Sequence, residues 1–396
     1  MRKRRREIII ENIPITGLAD KGRGVGRNEE GVVFFVEDAL PGDVIDVRVI
    51  KQKEGFVEGI IHAIKNYSEH RVAPFCSHFG ICGGCKFQNL DYKTQLHYKE
   101  DNVINALKRI GKIEIGEFLP IVAAENNQYY RNKLEYTFSN KRWLEKAELD
   151  SGVSKYEDVL GFHRPGAFDK IVDIHHCYLQ PDPSNKIRNS VKAIALEQGL
   201  SFFDLRTQEG FLRNIMLRIT TLGETLVIVS FYYEDKAARI KFLDEMLKRV
   251  PEISTLLYCI NSKANDFILD LDIITYSGNG FVEEKLGPVT FKIGPKSFFQ
   301  TSTKQAEKLF DKVVEFADLP DVLITDPPRA GMHTAVAEML LQLEAPKIVY
   351  VSCNPATQAR DLFILSKKYD TIKVQPVDMF PHTHHIENVA LLKLRN

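Results

Sequence analysis

Short apolar runs broken by turn residues characterise the beginning of the chain. These runs are Glu7–Ile15, Gly31–Val36, Asp43–Ile50 and Phe56–Ile64. Strands so short and so closely spaced, without a helical period, predict a small β-barrel of the OB type over residues 1–65. The segment Gly22-Arg23-Gly24-Val25-Gly26 is followed by a strand and not by a helix, so we interpret its glycines as turn residues and not as a phosphate loop.

The middle of the chain mixes helix and strand patterns. Helices are expected at Tyr92–Ile110 and Lys236–Arg249, and strands at Arg213–Thr220 and Thr225–Tyr232. Near the end of this region, Ser277-Gly278-Asn279-Gly280 has the composition of a hairpin turn. Together these patterns predict a central α+β domain over residues 66–290.

Strands and helices alternate over the last hundred residues. The expected order is helix Thr303–Ala317, strand Val322–Thr325, helix Ala335–Leu343, strand Lys347–Val351, helix Ala356–Lys368, and strands Ile372–Val377 and Asn388–Leu394. Such alternation predicts βα units on a largely parallel sheet over residues 291–396. Asp326 and Cys353 each directly follow a strand. Since ligands bind beyond the carboxyl ends of parallel strands, both residues should lie on one rim of the sheet.

The charge balance restricts where a nucleic acid could bind. The 396 residues include 53 Lys+Arg and 53 Asp+Glu, so the net charge is zero and any nucleic-acid site must be a local patch, such as the basic run Arg2–Arg6. A composition of 44% hydrophobic and 27% charged residues excludes disorder, collagen and coiled coil. No apolar run approaches the ~18 residues of a membrane helix, so a cytoplasmic protein without membrane contact is expected.

The cysteines suggest a metal site. Six are too few for a disulfide scaffold in a chain this long. Three of them form Cys76-x5-Cys82-x2-Cys85, in a glycine-containing loop that could fold around a small inorganic centre. Cys177 is the candidate fourth ligand, because Cys259 lies in an apolar run and is interpreted as a core residue. This cysteine quartet (Cys76, Cys82, Cys85, Cys177) matches neither zinc-ribbon nor ferredoxin spacing, so iron–sulfur and structural zinc both stay open.

Cys353 and Glu387 are candidates for catalysis. Asn354 and Pro355 suit the cap and the first position of a helix. A thiol at such a helix start is expected to have a lowered pKa and to act as a nucleophile, and the nearby Asp326 strengthens this interpretation. Glu387 precedes an apolar strand, where partial burial would raise its pKa toward that of a useful general base.

Five motifs follow one another between residues 76 and 389. They are the Cys76–Cys85 motif with the later Cys177, Ser297-Phe298-Phe299-Gln300, Asp326-Pro327-Pro328-Arg329-Ala330-Gly331, Val351-Ser352-Cys353-Asn354-Pro355 and His382-Thr383-x-His385-Ile386-Glu387. In this order they resemble the RNA uracil-5-methyltransferases, especially the bacterial 23S ribosomal RNA enzymes. The N-terminal barrel resembles the TRAM domain of that family.

The resemblance implies C5-methylation of a uridine in RNA with S-adenosylmethionine as donor. The expected substrate is 23S ribosomal RNA, with transfer RNA as the other candidate, and a monomer is expected. By resemblance, Cys353 adds to C6 of the uracil and Glu387 removes the C5 proton. Gln300 and Asp326 match positions that line the pocket for S-adenosylmethionine and uracil. The cysteine quartet would hold a [4Fe-4S] cluster, which this family associates with RNA binding and folding.

One part of the family's pattern is missing. A class I methyltransferase domain opens with a strand, a glycine-rich loop and an acidic residue that binds the ribose. Here helix Thr303–Ala317 leads through residues 318–321 directly into strand Val322–Thr325, and residues 291–396 contain only Gly294 and Gly331 as glycines. We therefore expect a shortened, Rossmann-like domain that lacks three βα units, on the order of 80–90 residues. Val322–Thr325 would then be an exposed edge strand.

Three hypotheses account for these features. The first is an RNA uracil-5-methyltransferase in shortened form. The second is a relative that binds RNA but has lost donor binding and activity. The third is a metal-stabilised nucleic-acid-binding module with a redox-sensitive Cys353. Binding of S-adenosylmethionine separates the first from the second, and trapping of a covalent adduct with 5-fluorouracil RNA separates the first from the third.

Overall fold

The computed structural model describes residues 7–318 and 321–395. The described residues form two compact units. The first unit contains residues 7–75, 86–125 and 308–395, and the second contains residues 76–85 and 126–307. The three contiguous domains expected above stay a prediction. The basic run Arg2–Arg6, and Leu319 and Pro320 at the expected junction, lie outside the described residues.

The first unit begins with a closed five-stranded barrel, as the sequence predicts. Its strands are β1 (Ile9–Leu18), β2 (Gly24–Arg27), β3 (Val33–Glu37), β4 (Val44–Lys53) and β5 (Phe56–Asn66). They pair in the order β1-β2-β3-β5-β4 around the ring. Alternate residues of these strands face inward, and Phe34, Ile45 and Val47 are fully buried in the barrel core.

Two glycines predicted to lie in a turn are part of strand β2. A Cβ atom on Gly24 would lie 2.6 Å from the carbonyl oxygen of Ala39, and one on Gly26 would lie 2.2 Å from that of Pro14. The glycines thus allow neighbouring backbones to approach closely inside a small barrel. Only Gly22, with φ of +71°, has the left-handed conformation of a turn residue. The turn interpretation is therefore wrong for Gly24 and Gly26.

Helix α1 (Tyr92–Asn105) follows the barrel, continues into a π-helical turn at Ala106–Ile110 and leads to strand β6 (Ile115–Phe118). The cap of α1 is Asp91, whose carboxylate accepts a hydrogen bond from the backbone N–H of Thr94 at 2.9 Å. The helix prediction for Tyr92–Ile110 is confirmed, whereas the short strand β6 was not expected from the sequence.

The second unit is built on a seven-stranded sheet in the order β13-β12-β11-β10-β7-β8-β9. Its elements are β7 (Lys133–Lys141), α2 (Lys146–Asp150), β8 (Tyr156–Arg164), β9 (Ala167–Asp173), α3 (Ser184–Glu197), β10 (Leu212–Ile219), β11 (Thr225–Phe231), α4 (Lys236–Arg249), β12 (Thr255–Ile260) and β13 (Ile274–Ser277), followed by β14 (Val282–Leu286) and β15 (Val289–Ile293). Ile187 of α3 and Leu243 of α4 are fully buried in one core with Phe231 of the sheet.

The expected hairpin turn at residues 277–280 joins two different sheets. Strand β13 before it pairs with β12, whereas strand β14 after it pairs with β15. Gly278 and Gly280 both have φ near +80°, so the glycines redirect the chain from one sheet to the next. The actual hairpin turn lies between Leu286 and Val289. The sequence signal indicated a bend correctly but the hairpin prediction is wrong.

The first unit is completed by a five-stranded sheet in the order β16-β17-β19-β18-β6. The remaining elements are α5 (Thr303–Ala317), β16 (Val322–Thr325), α6 (Thr334–Leu343), β17 (Lys347–Ser352), α7 (Pro355–Leu365), β18 (Tyr369–Val377) and β19 (Glu387–Leu394). Four strands share one direction and β19 runs against them, so the sheet is largely parallel as predicted. Among the described residues, β16 pairs with β17 alone and lies at the edge.

No helix among the described residues is long and apolar enough to cross a membrane.

Candidate active site

Three predicted site residues come together at one rim of the five-stranded sheet. Asp326 follows β16 and Cys353 follows β17, which are parallel neighbours. Glu387 begins β19, whose antiparallel pairing places the next residue, Asn388, opposite Ser352. Beyond the effect of burial, the charges of Glu387 and Asp326 both raise the pKa of Cys353. A thiol and two carboxyl groups therefore share one electrostatic environment.

Glu387 is held as a weakly acidic carboxyl group. The residue is only 4% exposed. Burial raises the pKa of Glu387 to about 8, and the charge of Asp326 contributes in the same direction. Glu387 is therefore mostly protonated at neutral pH and becomes a proton acceptor close to pH 8, which suits a general base. The direction predicted for this pKa is confirmed.

Cys353 has the predicted local setting but not the predicted acidity. Asn354 caps helix α7, since its side chain accepts a hydrogen bond from the backbone N–H of Ala356 at 3.1 Å, and Pro355 is the first helical residue. Nevertheless burial, followed by the charge of Glu387, raises the pKa of Cys353, and the opposing effect of Arg329 is smaller. The prediction of a lowered pKa is therefore wrong, because desolvation and two carboxyl groups outweigh one helix terminus.

The loop that carries Asp326 is tied to the start of α7. The side chains of Asn354 and Thr357 both donate hydrogen bonds to the carbonyl oxygen of Arg329, each at 3.2 Å. Gly331 closes this loop with φ of +79°, and a Cβ atom there would lie 2.6 Å from the carboxylate of Asp361. Only glycine fits this position. The loop after β16 and the loop after β17 are thus held as one structure.

A buried pair of amides connects the strands beneath the site. Gln358 of α7 donates hydrogen bonds to the carbonyl oxygens of Tyr350 at 3.0 Å and Asn388 at 3.3 Å. Asn388 donates in turn to the side-chain oxygen of Gln358 at 2.7 Å. These contacts set β17, which Cys353 directly follows, against β19, which begins with Glu387. Sequence reasoning missed both residues, since no periodic pattern marks a hydrogen bond across thirty residues.

Helix α1 anchors the segment that leads from β18 to Glu387. The amino group of Lys99 contacts Asp378 at 2.6 Å and the carbonyl oxygen of Phe380 at 3.0 Å, and all three lie in the first unit. The hydroxyl of Tyr92 donates to the same carboxylate at 2.8 Å. Burial lowers the pKa of Lys99, and the charge of Asp378 opposes this effect. A buried ion pair between distant residues gives no signal in the sequence.

Gln300 belongs to the second unit. Its carbonyl oxygen accepts a hydrogen bond from the side chain of Asn132 at 2.8 Å, and Asn132 also donates to the hydroxyl of Thr303 at 3.0 Å. These bonds hold the segment around Gln300 against the beginning of β7. The residues that converge at the rim, Asp326, Cys353 and Glu387, all belong to the first unit.

The cysteine quartet lies in the second unit. Cys177 is buried in the core of this unit, and Cys82 and Cys85 pack against it. Burial, together with the charges of Cys85, Cys177 and Cys76, raises the pKa of Cys82 to about 12, although a hydrogen bond from the backbone N–H of Gly84 opposes this effect. Within residues 7–318 and 321–395, no group of three or more His, Cys, Asp or Glu side chains converges as a bound metal ion requires. The predicted metal centre is therefore not confirmed. Cys259 is a fully buried core residue, as expected.

Two parts of the chain match known protein families. Residues 298–395, which include Cys353 and Glu387, match the family described as tRNA (uracil-5-)-methyltransferase. Residues 7–61, which form most of the barrel, match the TRAM domain.

Whole proteins similar to this chain carry the description RNA methyltransferase. One from Bacteroides thetaiotaomicron is 41% identical over 456 residues, covering 96% of this chain and all of the relative. One from Porphyromonas gingivalis is 41% identical over 459 residues, covering 96% of this chain and 98% of the relative. Among solved structures, the tRNA (uracil-54, C5)-methyltransferase of Pyrococcus abyssi in complex with S-adenosyl-L-homocysteine superposes with a TM-score of 0.71 at 25% identity, over 96% of this chain and 99% of that one.

Proposed function

Because the chain belongs to the RNA uracil-5-methyltransferase family, we propose that it methylates C5 of a uridine in RNA through a covalent adduct with Cys353. The observation that carries this proposal is the convergence of Cys353 and Glu387 at one rim, with the pKa of Glu387 raised to about 8 by burial. A nucleophilic thiol beside a carboxyl group that can accept a proton near physiological pH provides both functions that the reaction requires.

The thiolate of Cys353 forms a bond to C6 of the uracil and pushes an electron pair to C5, which is otherwise too weak a nucleophile. Bound S-adenosylmethionine supplies an electrophilic methyl group on a sulfonium centre. C5 bonds to this methyl group as the bond between the methyl carbon and the sulfonium sulfur breaks, and the electron pair of that bond stays on the sulfur of the departing S-adenosylhomocysteine. Glu387 then accepts the proton that remains on C5. The electron pair of that C–H bond restores the C5–C6 double bond, and the bond between C6 and the sulfur of Cys353 breaks. The thiolate is regenerated and one proton resides on Glu387.

The raised pKa values give an order to the proton transfers. While Glu387 is protonated it carries no charge and does not oppose ionisation of Cys353, so the thiolate forms more easily in that state. Glu387 must then lose its proton before it can act as a base at C5. The base has to be on the same rim as the nucleophile, because it takes its proton from the carbon next to the one that is bonded to sulfur.

Trapping with 5-fluorouracil RNA tests this function. A fluorine at C5 cannot be removed as a proton, so the bond between Cys353 and C6 should persist after methyl transfer. We expect a product stable to denaturation with the mass of the chain plus the methylated RNA, and none with Cys353→Ala. Transfer of methyl groups to RNA without any such product would contradict the covalent route.

We infer that this chain binds the methyl donor more weakly than full-length members of the family. Its alignments with the two RNA methyltransferases extend over 456 and 459 positions, but this chain fills only about 380 of them, which is 96% of its 396 residues. This difference, and the edge position of β16, support a missing internal segment that would carry the glycine-rich loop and the ribose-binding carboxylate. Asp326 stands at this edge, and we propose that it and Gln300 are the remaining donor-binding residues.

A second candidate function follows from the missing segment: an RNA-binding relative without methyl transfer. Losing three or four hydrogen bonds of ~1–1.5 kcal/mol each would weaken donor binding roughly 10²–10⁴-fold, compared with a family member that has the full segment. Calorimetry with S-adenosylmethionine distinguishes the two. We expect saturable binding that is much weaker than that of a full-length relative. No detectable binding would favour the RNA-binding relative, and micromolar affinity would show that the missing segment is not needed to hold the donor.

Two RNA classes are candidate substrates. The motif resemblance favours 23S ribosomal RNA, whereas the description of the matching family and the Pyrococcus relative favour transfer RNA. We propose ribosomal RNA as the substrate. Methyl incorporation into purified ribosomal and transfer RNA, each from cells lacking the modification, tests this choice, and incorporation into transfer RNA alone would reverse it.

We also propose that the cysteine quartet holds a [4Fe-4S] cluster. An all-thiolate donor set suits iron–sulfur chemistry, and burial keeps the thiol of Cys82 protonated unless a cationic centre binds it. Such a cluster would supply structural support for the second unit and would take no part in methyl transfer. Anaerobically purified protein should be brown with about four irons per chain. Colourless protein with one bound zinc would show that the four cysteines are metal ligands but that the metal centre is not an iron–sulfur cluster.

A further inference from the structure

Exposed aromatic rings lie beside basic side chains on the second unit, near the β8–β9 end of its sheet. Tyr156 is 64% exposed and Phe168 is 65% exposed, so neither ring contributes much to the core. Both belong to strands, which hold their backbones in place. We name this surface the aromatic–basic strip, consisting of Lys141, Lys155, Tyr156, Phe168, Asp169, Lys170, Asp204 and Arg206.

The two rings are connected through one buried carboxylate. The amino group of Lys141 lies 5.9 Å from the ring centre of Tyr156 and donates to Asp204 at 2.7 Å. The backbone N–H of Arg206 donates to the same carboxylate at 2.9 Å, and the guanidinium of Arg206 lies 5.5 Å from the ring centre of Phe168. Asp204 therefore links the two residues whose cationic groups lie beside the two rings.

The strip is locally positive although the whole chain is neutral. Four cationic side chains, Lys141, Lys155, Lys170 and Arg206, stand against the two carboxylates of Asp169 and Asp204. Burial lowers the pKa of Lys170, Asp169 opposes this effect, and the charges of Lys155, Lys141 and Arg206 lower the pKa further. Lys170 is thus repelled by the other three cations, and an anionic partner would relieve that repulsion.

We propose that the aromatic–basic strip binds a single-stranded stretch of the RNA substrate, with bases stacked on Tyr156 and Phe168 and phosphates near Lys155 and Lys170. This inference rests on the proposed function for the identity of the substrate. Exposed rings interleaved with cations are the pattern that binds single-stranded nucleic acid. Paired RNA is a poorer ligand for such a surface, because its bases are already stacked on one another.

Separate variants test the stacking and the charge contributions in the full chain. The probe is a short, fluorescein-labelled single-stranded RNA without donor present. The double change Tyr156→Ala and Phe168→Ala should weaken binding about 10- to 100-fold per ring and leave its salt dependence unchanged. The double change Lys155→Met and Lys170→Met should weaken binding and reduce the slope of log affinity against log salt by roughly 0.7 per lost phosphate contact.

Phe267 provides a matched control in the same unit. It is 55% exposed, and the amino group of Lys263 lies 5.5 Å from its ring centre. However, Lys263 is paired with Asp270 at 2.5 Å, so this aromatic position lacks excess positive charge. Phe267→Ala should bind the probe like the wild type. An equal loss of affinity in this control would show that the aromatic–basic strip has no special role.

Two outcomes would overturn the proposal, and a third separates it from the proposed function. Wild-type affinity in both double variants would overturn it, and so would equal binding of a duplex with the same sequence. If the alanine variant does not fold, Phe168→Leu keeps the apolar volume and removes the stacking face, and it should still weaken binding. If the wild type binds the probe through the aromatic–basic strip but methylates no RNA, the proposed function is wrong and RNA binding by the strip is still supported.

Discussion

Cys353 and Cys82 are both thiols with raised pKa values, but their surroundings differ. Cys353 is half-buried on a rim where Glu387 and Asp326 add negative charge and Arg329 opposes it. Cys82 packs against the core of the second unit, where after burial its neighbouring charges are the other three members of the cysteine quartet. The ionisation of Cys353 therefore depends on the protonation of a carboxyl group, whereas no carboxyl group is among the causes of the raised pKa of Cys82.

This difference shows why the acidity of a cysteine alone does not reveal its role. Burial raises both pKa values, yet a nucleophile has to ionise and be released within one catalytic cycle, whereas a metal ligand has to remain ionised. A carboxyl group with a pKa of about 8 serves the first need because it titrates close to working pH.

The largest effect is expected from Cys353→Ala. Without the sulfur no bond to C6 can form, so methyl transfer should fall by more than about 10⁴-fold, as when the nucleophile of a covalent mechanism is removed. RNA binding should remain. Radiolabelled methyl incorporation measures the loss, and Cys259→Ala, at a fully buried core cysteine, serves as the control. Residual turnover near the wild-type level would mean that Cys353 is not the nucleophile.

Glu387→Gln should lower turnover about 10²–10⁴-fold. Because the C5 proton can no longer be removed, RNA that contains ordinary uridine, without fluorine, should stay bonded to Cys353 after the methyl group has been transferred. Denaturing gel electrophoresis should detect this adduct. Asp370→Asn removes an exposed carboxylate from the same sheet and should leave turnover unchanged. If Glu387→Gln slows the reaction but no adduct accumulates, the carboxyl group acts before methyl transfer and not after it.

Cys82→Ser addresses the other side of the comparison. Loss of one thiolate should reduce the iron content and lower the melting temperature by at least about 5 °C, because a ligand that binds only the folded state stabilises it. The matched control is Cys259→Ser. In the wild type, the sulfur of Cys259 lies 3.3 Å from the hydroxyl of Ser230. Both variants should retain reaction of Cys353 with a thiol reagent at alkaline pH. Unchanged metal content and stability would reject Cys82 as a ligand.

The remaining expected effect is a change of stability with pH. Since the folded state holds the proton of Glu387 up to about pH 8 and the unfolded state releases it near pH 4.5, raising the pH through this window disfavours the folded state. The contribution is at most about 1.4 kcal/mol per pH unit. Glu387→Gln should therefore match the wild type near pH 5 in urea unfolding and become the more stable protein near pH 8. A constant difference across that range would contradict the raised pKa.

Local patterns were sufficient for most elements of the fold. Helices α4 and α5 and strand β16 have the predicted bounds, and the alternation after residue 300 placed Asp326 and Cys353 on one rim. Such elements are predictable because apolar spacing, a cap such as Asn354 and a helix-starting proline act within a few residues of one another. The resemblance to a family also rested on short motifs with their residues in sequence.

Only the tertiary structure decided the features that depend on distant neighbours. Gly24 and Gly26 lie in a strand and not in a turn, where the carbonyl oxygens of Ala39 and Pro14 leave no room for a side chain, and residues 277–280 join two sheets because their flanking strands have different partners. The pKa of Cys353 rises because Glu387, thirty-four positions later, shares its rim. The chain itself determined which chemical groups follow each strand. Desolvation and charge at a site arise from all the groups that folding brings together, so the acidity of those groups was set by the fold.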